Sequence, residues 1–126
     1  RELKAENYIK MMGPSDELEK CLPQASVYAF SSDWEGLPNA LMEAMAMGLP
    51  VVATDCPCGG PATLIVDGKN GLLTPVGDEA AMAAAICRLI EEPQLAQQLG
   101  ENAKKLGEIA NEDAIFAQWR DWLEAL

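Results

Sequence analysis

Short runs of apolar residues alternate along the chain with longer segments in which apolar positions recur at helical spacing. The apolar runs are too short for helices and are bounded by turn-forming residues, which is typical of buried strands. The order of strand, helix, strand, helix and strand, with short links, predicts the α/β class: a Rossmann-like parallel sheet flanked by helices. The predicted strands are residues 7–12, Val27–Phe30, Val51–Thr54 and the run Leu72-Leu73.

The segment between the second and third strands predicts a helix that is buried on more than one side. Pro38 suits its first turn, where a missing N–H costs nothing, and Gly48 marks its end. Residues 40–47 are apolar except for Glu43, and a helix that is apolar nearly all round is covered on several faces.

Capping and helix-breaking residues place the other helices. Ser15 is predicted to cap a short helix that Pro23 closes, and residues 63–66 fit either a single helical turn or an extended piece. Three helices are predicted at the end of the chain: Asp78 to about Ile90, Pro93 to about Leu106, and one capped by Asn111 that carries Ile115, Trp119, Trp122 and Leu126 along one stripe.

Composition and charge exclude several classes of protein. The 126 residues fit one domain, and 49% hydrophobic residues are enough for a core. The formal net charge of −11 argues against a nucleic-acid binder and against wide contact with an anionic membrane. The chain opens with charged residues, has no apolar signal segment and does not start with Met, so we expect a piece of a longer protein.

The four cysteines do not have the spacing of a metal site. Cys56 and Cys58 flank a proline and would need two further ligands, whereas Cys21 and Cys87 fall in helical patterns. The chain contains no histidine, which removes the commonest metal ligand and general base. We therefore expect reduced thiols and no metal.

Two glutamates, Glu35 and Glu43, bracket the turn that leads from the second predicted strand into the next helix. A glycine-containing turn that opens a helix leaves backbone N–H groups pointing outward, and these suit an anion, most often a phosphate. Acids that faced this phosphate would repel it, so they are better placed to accept hydrogen bonds from neutral hydroxyls. Phosphate beside hydroxyls describes a nucleotide sugar.

A parallel sheet binds ligands beyond the carboxyl ends of its strands, where three loops should gather: residues 13–15, 31–39 and 55–63. The residues alone leave alternatives open. Glu35 also fits a solvated loop acid, and Trp34 fits a loop anchor, a partner-facing aromatic or a sugar platform. A carboxylate on an apolar helix is costly to bury unless it is hydrogen-bonded, so Glu43 should line a cleft or have a fixed partner. The pair Gly59-Gly60 fits a tight turn as well as it fits part of a ligand site.

Three sequence blocks follow one another in a fixed order. They are the E-x7-E motif Glu35…Glu43, then Gly48-Leu49-Pro50-Val51-Val52-Ala53-Thr54, then Asp67-Gly68 with Asn70-Gly71-Leu72-Leu73. With them, the stretch from Ser31 to Pro75 resembles the C-terminal, donor-binding domain of a GT-B glycosyltransferase of family GT4. The segment from Ile9 to Gly13 is similar to the strand and glycine that precede the base-binding loop of that family. The sequences of these motifs are most similar to those of bacterial transferases of polysaccharide and glycan assembly.

The resemblance implies a role for each matched residue. Glu35 would be the catalytic residue that contacts hydroxyls of the donor sugar, Glu43 would hold the ribose, and Gly13 would approach the base. The remaining predicted substrate-binding residues, whose backbone N–H groups would serve the sugar and diphosphate where they have one, are Gly36, Leu37, Pro38, Asn39 and Ala40.

The implied reaction transfers a hexose or N-acetylhexosamine from a nucleoside diphosphate sugar, of UDP or GDP type, to a glycan or lipid-linked acceptor. The anomeric configuration would be retained. The chain has no D-x-D motif, which suits a metal-independent enzyme in which helix N-termini and cations stabilise the leaving diphosphate. We expect no cofactor, no nucleic-acid partner and a cytoplasmic location, at the inner face of the membrane if the missing domain binds there.

The family pattern and this sequence differ in two respects. Thr63 stands where many relatives carry an acid. The Arg/Lys pair that neutralises the diphosphate in the family lies upstream of the matching segment, so this sequence does not contain it. We therefore expect residues 1–126 to be a donor-binding domain truncated at its N-terminal side, a partial C-terminal half of a GT-B fold that is inactive alone. An open sheet edge would favour self-association.

Other functions fit the same fold. A Rossmann-like nucleotide-binding module without catalysis and a GT-B epimerase share this architecture. An interaction domain that uses the helix with Trp119 and Trp122 as its contact face is a third interpretation.

Overall fold

The computed structural model describes residues 5, 7–14, 17–109 and 112–125, and these form three strands and six α-helices. In chain order the elements are α1 (Leu18–Cys21), a 3₁₀ turn (Leu22–Gln24), β1 (Tyr28–Phe30), α2 (Asn39–Ala46), β2 (Val51–Thr54), α3 (Gly60–Leu64), β3 (Leu72–Thr74), α4 (Glu79–Glu91), α5 (Pro93–Ile109) and α6 (Glu112–Glu124).

The strands form one parallel sheet in the order β1-β2-β3. Tyr28 is opposite Val51 at the start of the first pair, and Val52 is opposite Leu72 at the start of the second. Parallel neighbours need a crossover, and α2 and α3 supply the two crossovers. The predicted Rossmann-like parallel sheet flanked by helices is therefore confirmed.

The sheet is covered on both faces, which explains why every residue of β2 is buried. Successive side chains of a strand point to opposite faces, so Val51 and Ala53 enter one cluster and Val52 the other. The α2-side cluster contains Leu41, Ala44, Met45, Leu49, Val51, Ala53, Ile65 and Ala103. The α4-side cluster contains Val52, Leu72, Leu89, Ala96 and Leu99. Helix α5 contributes to both clusters and joins them.

Helix α2 packs mainly against α5, and this contact depends on a glycine. A Cβ built on Gly100 of α5 would overlap the carbonyl oxygen of Gly48, just after α2. Two turns further along α5, a Cβ built on Gly107 would lie 3.3 Å from the Cβ of Ala46. The backbones can approach because both α5 positions lack a side chain, and α2 is thereby held at a fixed place on the sheet.

The turn before β3 is held by its own polar side chains. Asp67 Oδ1 accepts a hydrogen bond from the backbone N–H of Leu73 at 2.9 Å. The Asn70 amide accepts one from the N–H of Val66 at 2.7 Å and donates one to the carbonyl of Leu64 at 3.0 Å. These contacts give the third sequence block, which carries part of the family resemblance, a structural role in ending α3 and starting β3.

The strand predicted at residues 7–12 is wrong. Asn7 and Tyr8 lie in a turn, and residues 9–13 have no regular structure. A strand is stable only when a neighbour shares its backbone hydrogen bonds, and among the described residues only β1, β2 and β3 pair in a sheet.

Most helix predictions are confirmed. Helices α2, α4 and α5 lie where they were predicted, although α5 continues to Ile109. Of residues 63–66, the first two end helix α3 and Ile65 is extended. Helix α1 ends at Cys21, before Pro23, and Pro23 lies in the 3₁₀ turn that follows. The predicted caps Ser15 and Asn111 and the stripe residue Leu126 lie outside the described residues.

Helix α6 exposes a broad apolar surface. Trp119 and Trp122 are 60% and 56% exposed, with their rings edge to face at a centroid distance of 5.7 Å. Trp119 and Trp122 therefore do not pack into the core of the part of the chain that the structure describes. None of the helices described is both long and apolar enough to cross a membrane.

The loop between β1 and α2 packs directly on the start of α3. A Cβ built on Gly60 would overlap the carbonyl group of Gly36, and it would lie 3.2 Å from the carbonyl oxygen of Glu35. Gly60 is buried, so the approach of the loop is possible only because this position has no side chain. Gly60 therefore provides the close-packing surface for the loop that carries Glu35, whereas Gly59 has a left-handed backbone with φ of +73° and nothing within 4 Å of the position of a Cβ.

We predict that Gly100→Ala lowers the free energy of unfolding by about 1–3 kcal/mol, since the new methyl group meets a backbone oxygen that cannot turn away. Alanine favours helices over glycine by about 1 kcal/mol, so a rise in stability would be expected if the site were open. Gly107→Ala is the matched control and should cost less. Urea unfolding measures both, and a stabilised Gly100→Ala protein would contradict the packing described.

Gly60→Ala should lower the free energy of unfolding by roughly 2 kcal/mol or more, because the loop at Gly36 must be pushed away. Gly36→Ala is the control from the other side of the same contact. Nothing lies within 4 Å of a Cβ there, so its effect should stay within about 0.5 kcal/mol. Equal losses for the two variants would show that the loop does not rest on α3.

Candidate functional site

The N-terminus of α2 is an open hydrogen-bonding surface at the carboxyl end of the sheet. The first intrahelical bond runs from the N–H of Met42 to the carbonyl of Pro38 at 3.1 Å. The N–H groups of Asn39, Ala40 and Leu41 therefore have no acceptor within the helix. Pro38 occupies the N-cap position, and its side chain makes no capping hydrogen bond. This end can donate to an anion, and the helix dipole favours negative charge there.

The predicted loop residues lie around this helix start. Gly36, Asn39 and Ala40 are exposed, and Leu37 is 60% exposed although it is a large apolar residue. Pro38 is buried, so it fixes the entry of the chain into α2 rather than offering a surface. Exposed residues therefore surround the buried proline at the start of α2.

Glu35 lies in the loop that precedes α2 and is half-buried. One carboxylate oxygen, Oε1, accepts a hydrogen bond from the hydroxyl of Ser32 at 2.8 Å. The Ser32 carbonyl accepts a hydrogen bond from the Thr54 hydroxyl at the end of β2. The Glu35 carboxylate is thus held in place rather than left as a freely solvated loop acid.

Glu43 lies one turn beyond the start of α2 and is exposed. Its exposure removes the penalty expected for a carboxylate buried in an apolar helix, because the buried side of α2 is formed by Leu41, Ala44 and Met45. Tyr28 of β1 lies near enough to feel its charge: burial raises the pKa of the Tyr28 hydroxyl above its usual value, and the Glu43 carboxylate raises it further. The Tyr28 hydroxyl therefore stays protonated at neutral pH.

The other predicted site residues are placed differently. Gly13 has a left-handed backbone with φ of +67°, is exposed, and has nothing within 4 Å of the position of a Cβ. Its contact with a base stays a prediction. Trp34 is 67% exposed in the same loop as Glu35, so it is not a buried loop anchor.

The electrostatics of the loop come from backbone and acids, not from basic side chains. Residues 31–66 contain no lysine or arginine. The positive end of α2 is therefore the attractive feature for an anion within this segment. Among the described residues, no group of three or more His, Cys, Asp or Glu side chains is placed to hold a metal ion.

A separate groove of about 410 Å³ lies at the carboxyl ends of the strands on the side of α4. It is lined by Ser31, Asp33 and Thr54 from the strand ends and by Asp78 and Met82 from α4. Asp78 is occupied as the cap of α4, since its Oδ1 accepts a hydrogen bond from Ala81 at 2.9 Å. The groove borders the loop of Glu35 but does not include Glu35 or Glu43.

Ser32 and Thr54 were not among the predicted site residues. A local signal for Ser32 exists, since Ser32 and Glu35 form the S-x-x-E spacing in which the two side chains can meet. Thr54 has no such signal, because it contacts Ser32 across 22 positions of the chain, and only the pairing of β1 with β2 brings them together.

The sequence matches a family model and several known proteins. The model for glycosyl transferases group 1 matches residues 1–92. An exopolysaccharide phosphotransferase, SCO2592 of Streptomyces coelicolor, is 36% identical over 90% of this chain and 12% of its own length. The putative colanic acid biosynthesis glycosyltransferase WcaL of Salmonella typhimurium is 35% identical over 96% of this chain and 32% of its own length.

Solved structures share the fold as well. The crystal structure of Anabaena Alr3699/HepE in complex with UDP has a TM-score of 0.89 and 28% sequence identity, covering 96% of this chain and 33% of that one. The chain thus spans about a third or less of the length of these similar proteins. Because the family model matches most of the sequence and the fold agrees with a GT-B structure, the chain belongs to the glycosyl transferases group 1 family.

Proposed function

We propose that this chain is the donor-binding domain of a retaining glycosyltransferase that uses a nucleoside diphosphate sugar of the UDP type. The observation that carries the proposal is the uncapped N-terminus of α2 with Glu35 before it and Glu43 one turn after it. UDP is preferred over GDP because HepE, which has the same fold, is in complex with UDP. The full-length protein would transfer a hexose or N-acetylhexosamine to a glycan or lipid-linked acceptor.

The diphosphate is assigned to the free N–H groups of Asn39, Ala40 and Leu41. A helix N-terminus carries roughly half a positive charge, worth about 0.3–1 kcal/mol toward an exposed anion and up to about 2 kcal/mol in a partly buried site. This is modest, and the segment 31–66 adds no basic side chain. The chain alone should therefore bind UDP weakly, with a Kd on the order of 1 mM, or about −4 kcal/mol.

Glu35 is assigned to the donor sugar and Glu43 to the ribose. Either carboxylate would repel the diphosphate if it pointed at it, whereas an ionised carboxylate accepts hydrogen bonds from hydroxyls. Ser32 occupies Oε1 of Glu35, so the second oxygen is the one offered to a sugar hydroxyl. Glu43 is exposed on the next turn of α2, about 6 Å along the helix from Asn39 at 1.5 Å per residue, which separates it from the phosphate position.

The chemistry asked of this domain is stabilisation of the leaving group. As the glycosidic bond to the diphosphate breaks, negative charge grows on the phosphate oxygens, and preorganised N–H donors lower the barrier without a metal ion. The acceptor and the reacting hydroxyl would be supplied by the rest of a longer protein. Residues 1–126 are therefore expected to bind the donor without transferring the sugar.

Glu43→Ala should weaken UDP binding roughly three- to tenfold, because one hydrogen bond at an exposed position, worth about 0.6–1.4 kcal/mol, is lost. Isothermal titration calorimetry at UDP concentrations up to about 10 mM measures this effect at the expected affinity. Glu91→Ala, which removes an exposed acid at the far end of α4, is the charge-matched control and should leave binding unchanged.

The ribose assignment is tested by pairing the variant with 2′,3′-dideoxy-UDP. In the wild-type chain this ligand should bind more weakly than UDP, whereas Glu43→Ala should bind both ligands alike, since the two losses describe one interaction. If the loss of affinity from Glu43→Ala and the loss from removing the ribose hydroxyls add up, Glu43 contacts a part of the ligand other than the ribose. Absence of UDP binding by the wild-type chain at 10 mM would contradict the proposed function itself.

A further inference from the structure

Two hydroxyl side chains connect the buried end of β2 to the carboxylate of Glu35. Thr54 is the last residue of β2 and is 5% exposed. Its hydroxyl donates to the carbonyl oxygen of Ser32, and the hydroxyl of Ser32 donates to Oε1 of Glu35 at 2.8 Å. The carboxylate is thereby tied to the central strand of the sheet, although Glu35 itself lies outside any helix or strand.

The bond between Ser32 and Glu35 is not explained as the start of a helix. In a capping box the serine oxygen accepts a backbone N–H from the first turn, and the glutamate reaches back to the backbone of the serine. Here the Ser32 hydroxyl donates to the carboxylate, and α2 begins only at Asn39. The hydrogen bond fixes the side chain of Glu35 rather than a helix end.

The backbone on the other side of Glu35 is held as well. The carbonyl groups of Glu35 and Gly36 pack against Gly60, where no side chain intervenes. Glu35 is therefore restrained before it by Ser32 and Thr54 and after it by the start of α3. A long side chain loses conformational entropy when it is restricted to one rotamer. If Glu35 were not already restricted, this entropy would be lost on ligand binding and would weaken the affinity.

We propose that Ser32 and Thr54 are positioning residues that hold the Glu35 carboxylate in its sugar-binding orientation. Ser32 engages one carboxylate oxygen and leaves the other free, and Thr54 fixes the backbone from which Ser32 acts. This inference rests on the proposed function, because it takes Glu35 as the contact of the donor sugar. Ser32 and Thr54 would thus support the site through hydrogen bonds that connect β2 with the loop and with the side chain proposed to contact the ligand.

The binding test compares UDP with UDP-glucose and UDP-N-acetylglucosamine by calorimetry in six proteins: the wild type, Glu35→Gln, Ser32→Ala, Ser31→Ala, Thr54→Val and Thr54→Ser. Ser32→Ala should weaken the binding of a UDP-sugar about three- to tenfold and leave UDP binding unchanged. Thr54→Val should act in the same direction, and Thr54→Ser should restore wild-type binding. Ser31→Ala, which removes the exposed neighbouring hydroxyl, is the matched control and should bind both ligands as the wild type does.

The outcomes separate this inference from the proposed function. If Glu35→Gln does not change UDP-sugar binding, Glu35 is not the sugar contact, and the proposed role of Glu35 fails. If Glu35→Gln weakens UDP-sugar binding but Ser32→Ala does not, the sugar contact stands and the positioning role is wrong. Equal loss of UDP and UDP-sugar binding in Ser32→Ala would indicate a general disturbance of the loop and would also overturn the inference.

A second measurement needs no ligand. Three-bond NMR couplings of the Glu35 side chain should report one χ1 rotamer in the wild-type chain and averaged rotamers in Ser32→Ala, with the thermal midpoint of unfolding unchanged. Averaged couplings in the wild type, or a single rotamer retained in Ser32→Ala, would overturn the positioning role whatever the binding data show.

Discussion

The candidate site depends on the approach of the Gly36 backbone to Gly60. This contact joins the loop after β1 to the start of α3, which follows β2, and it is possible because Gly60 has no side chain. With the loop held there, Pro38 is buried, α2 starts at Asn39, and the free N–H groups of its first turn have a fixed direction. The α2–α5 packing at Gly100 fixes the other end of the same helix.

The electrostatics of the site explain why this domain should bind weakly by itself. Its attraction for a diphosphate comes from the dipole and N–H groups of α2, while Glu35 and Glu43 add negative charge nearby. Because acids that face an anion repel it, the proposed function has both carboxylates accept hydrogen bonds from neutral hydroxyls of the nucleotide sugar. The chain spans a third or less of the length of the similar proteins.

Local sequence patterns were enough for the elements that carry their own signals. The β-branched run of β2 and the stop of α2 before Gly48 follow from residue type and spacing, and the order of elements led to the parallel sheet. The strand predicted at residues 7–12 failed because the pattern of apolar residues says nothing about the presence of a partner strand. Similarly, the exposure of Glu43 depends on which faces of α2 the sheet and α5 cover, and a helical pattern does not contain that information.

The residues that support the site were harder to predict than the residues that form it. Glu35 and Glu43 were predicted as site residues from their spacing around a helix start, whereas Thr54 reaches Ser32 across 22 positions and is adjacent only in the folded sheet. From the sequence alone, Gly60 fitted a tight turn as well as a ligand site. Its close packing against the backbone of Gly36 is visible only in the folded structure. Non-local contacts of this kind require the fold before they can be recognised.

The central claim is that the N-terminus of α2 receives the diphosphate of a nucleotide sugar. A titration of the ¹⁵N-labelled chain with UDP, followed by ¹⁵N–¹H correlation spectra, tests it most directly. We expect the largest shifts at the amides of Gly36, Asn39, Ala40 and Leu41. Shifts confined to α6, around Trp119 and Trp122, or to α4 would contradict it.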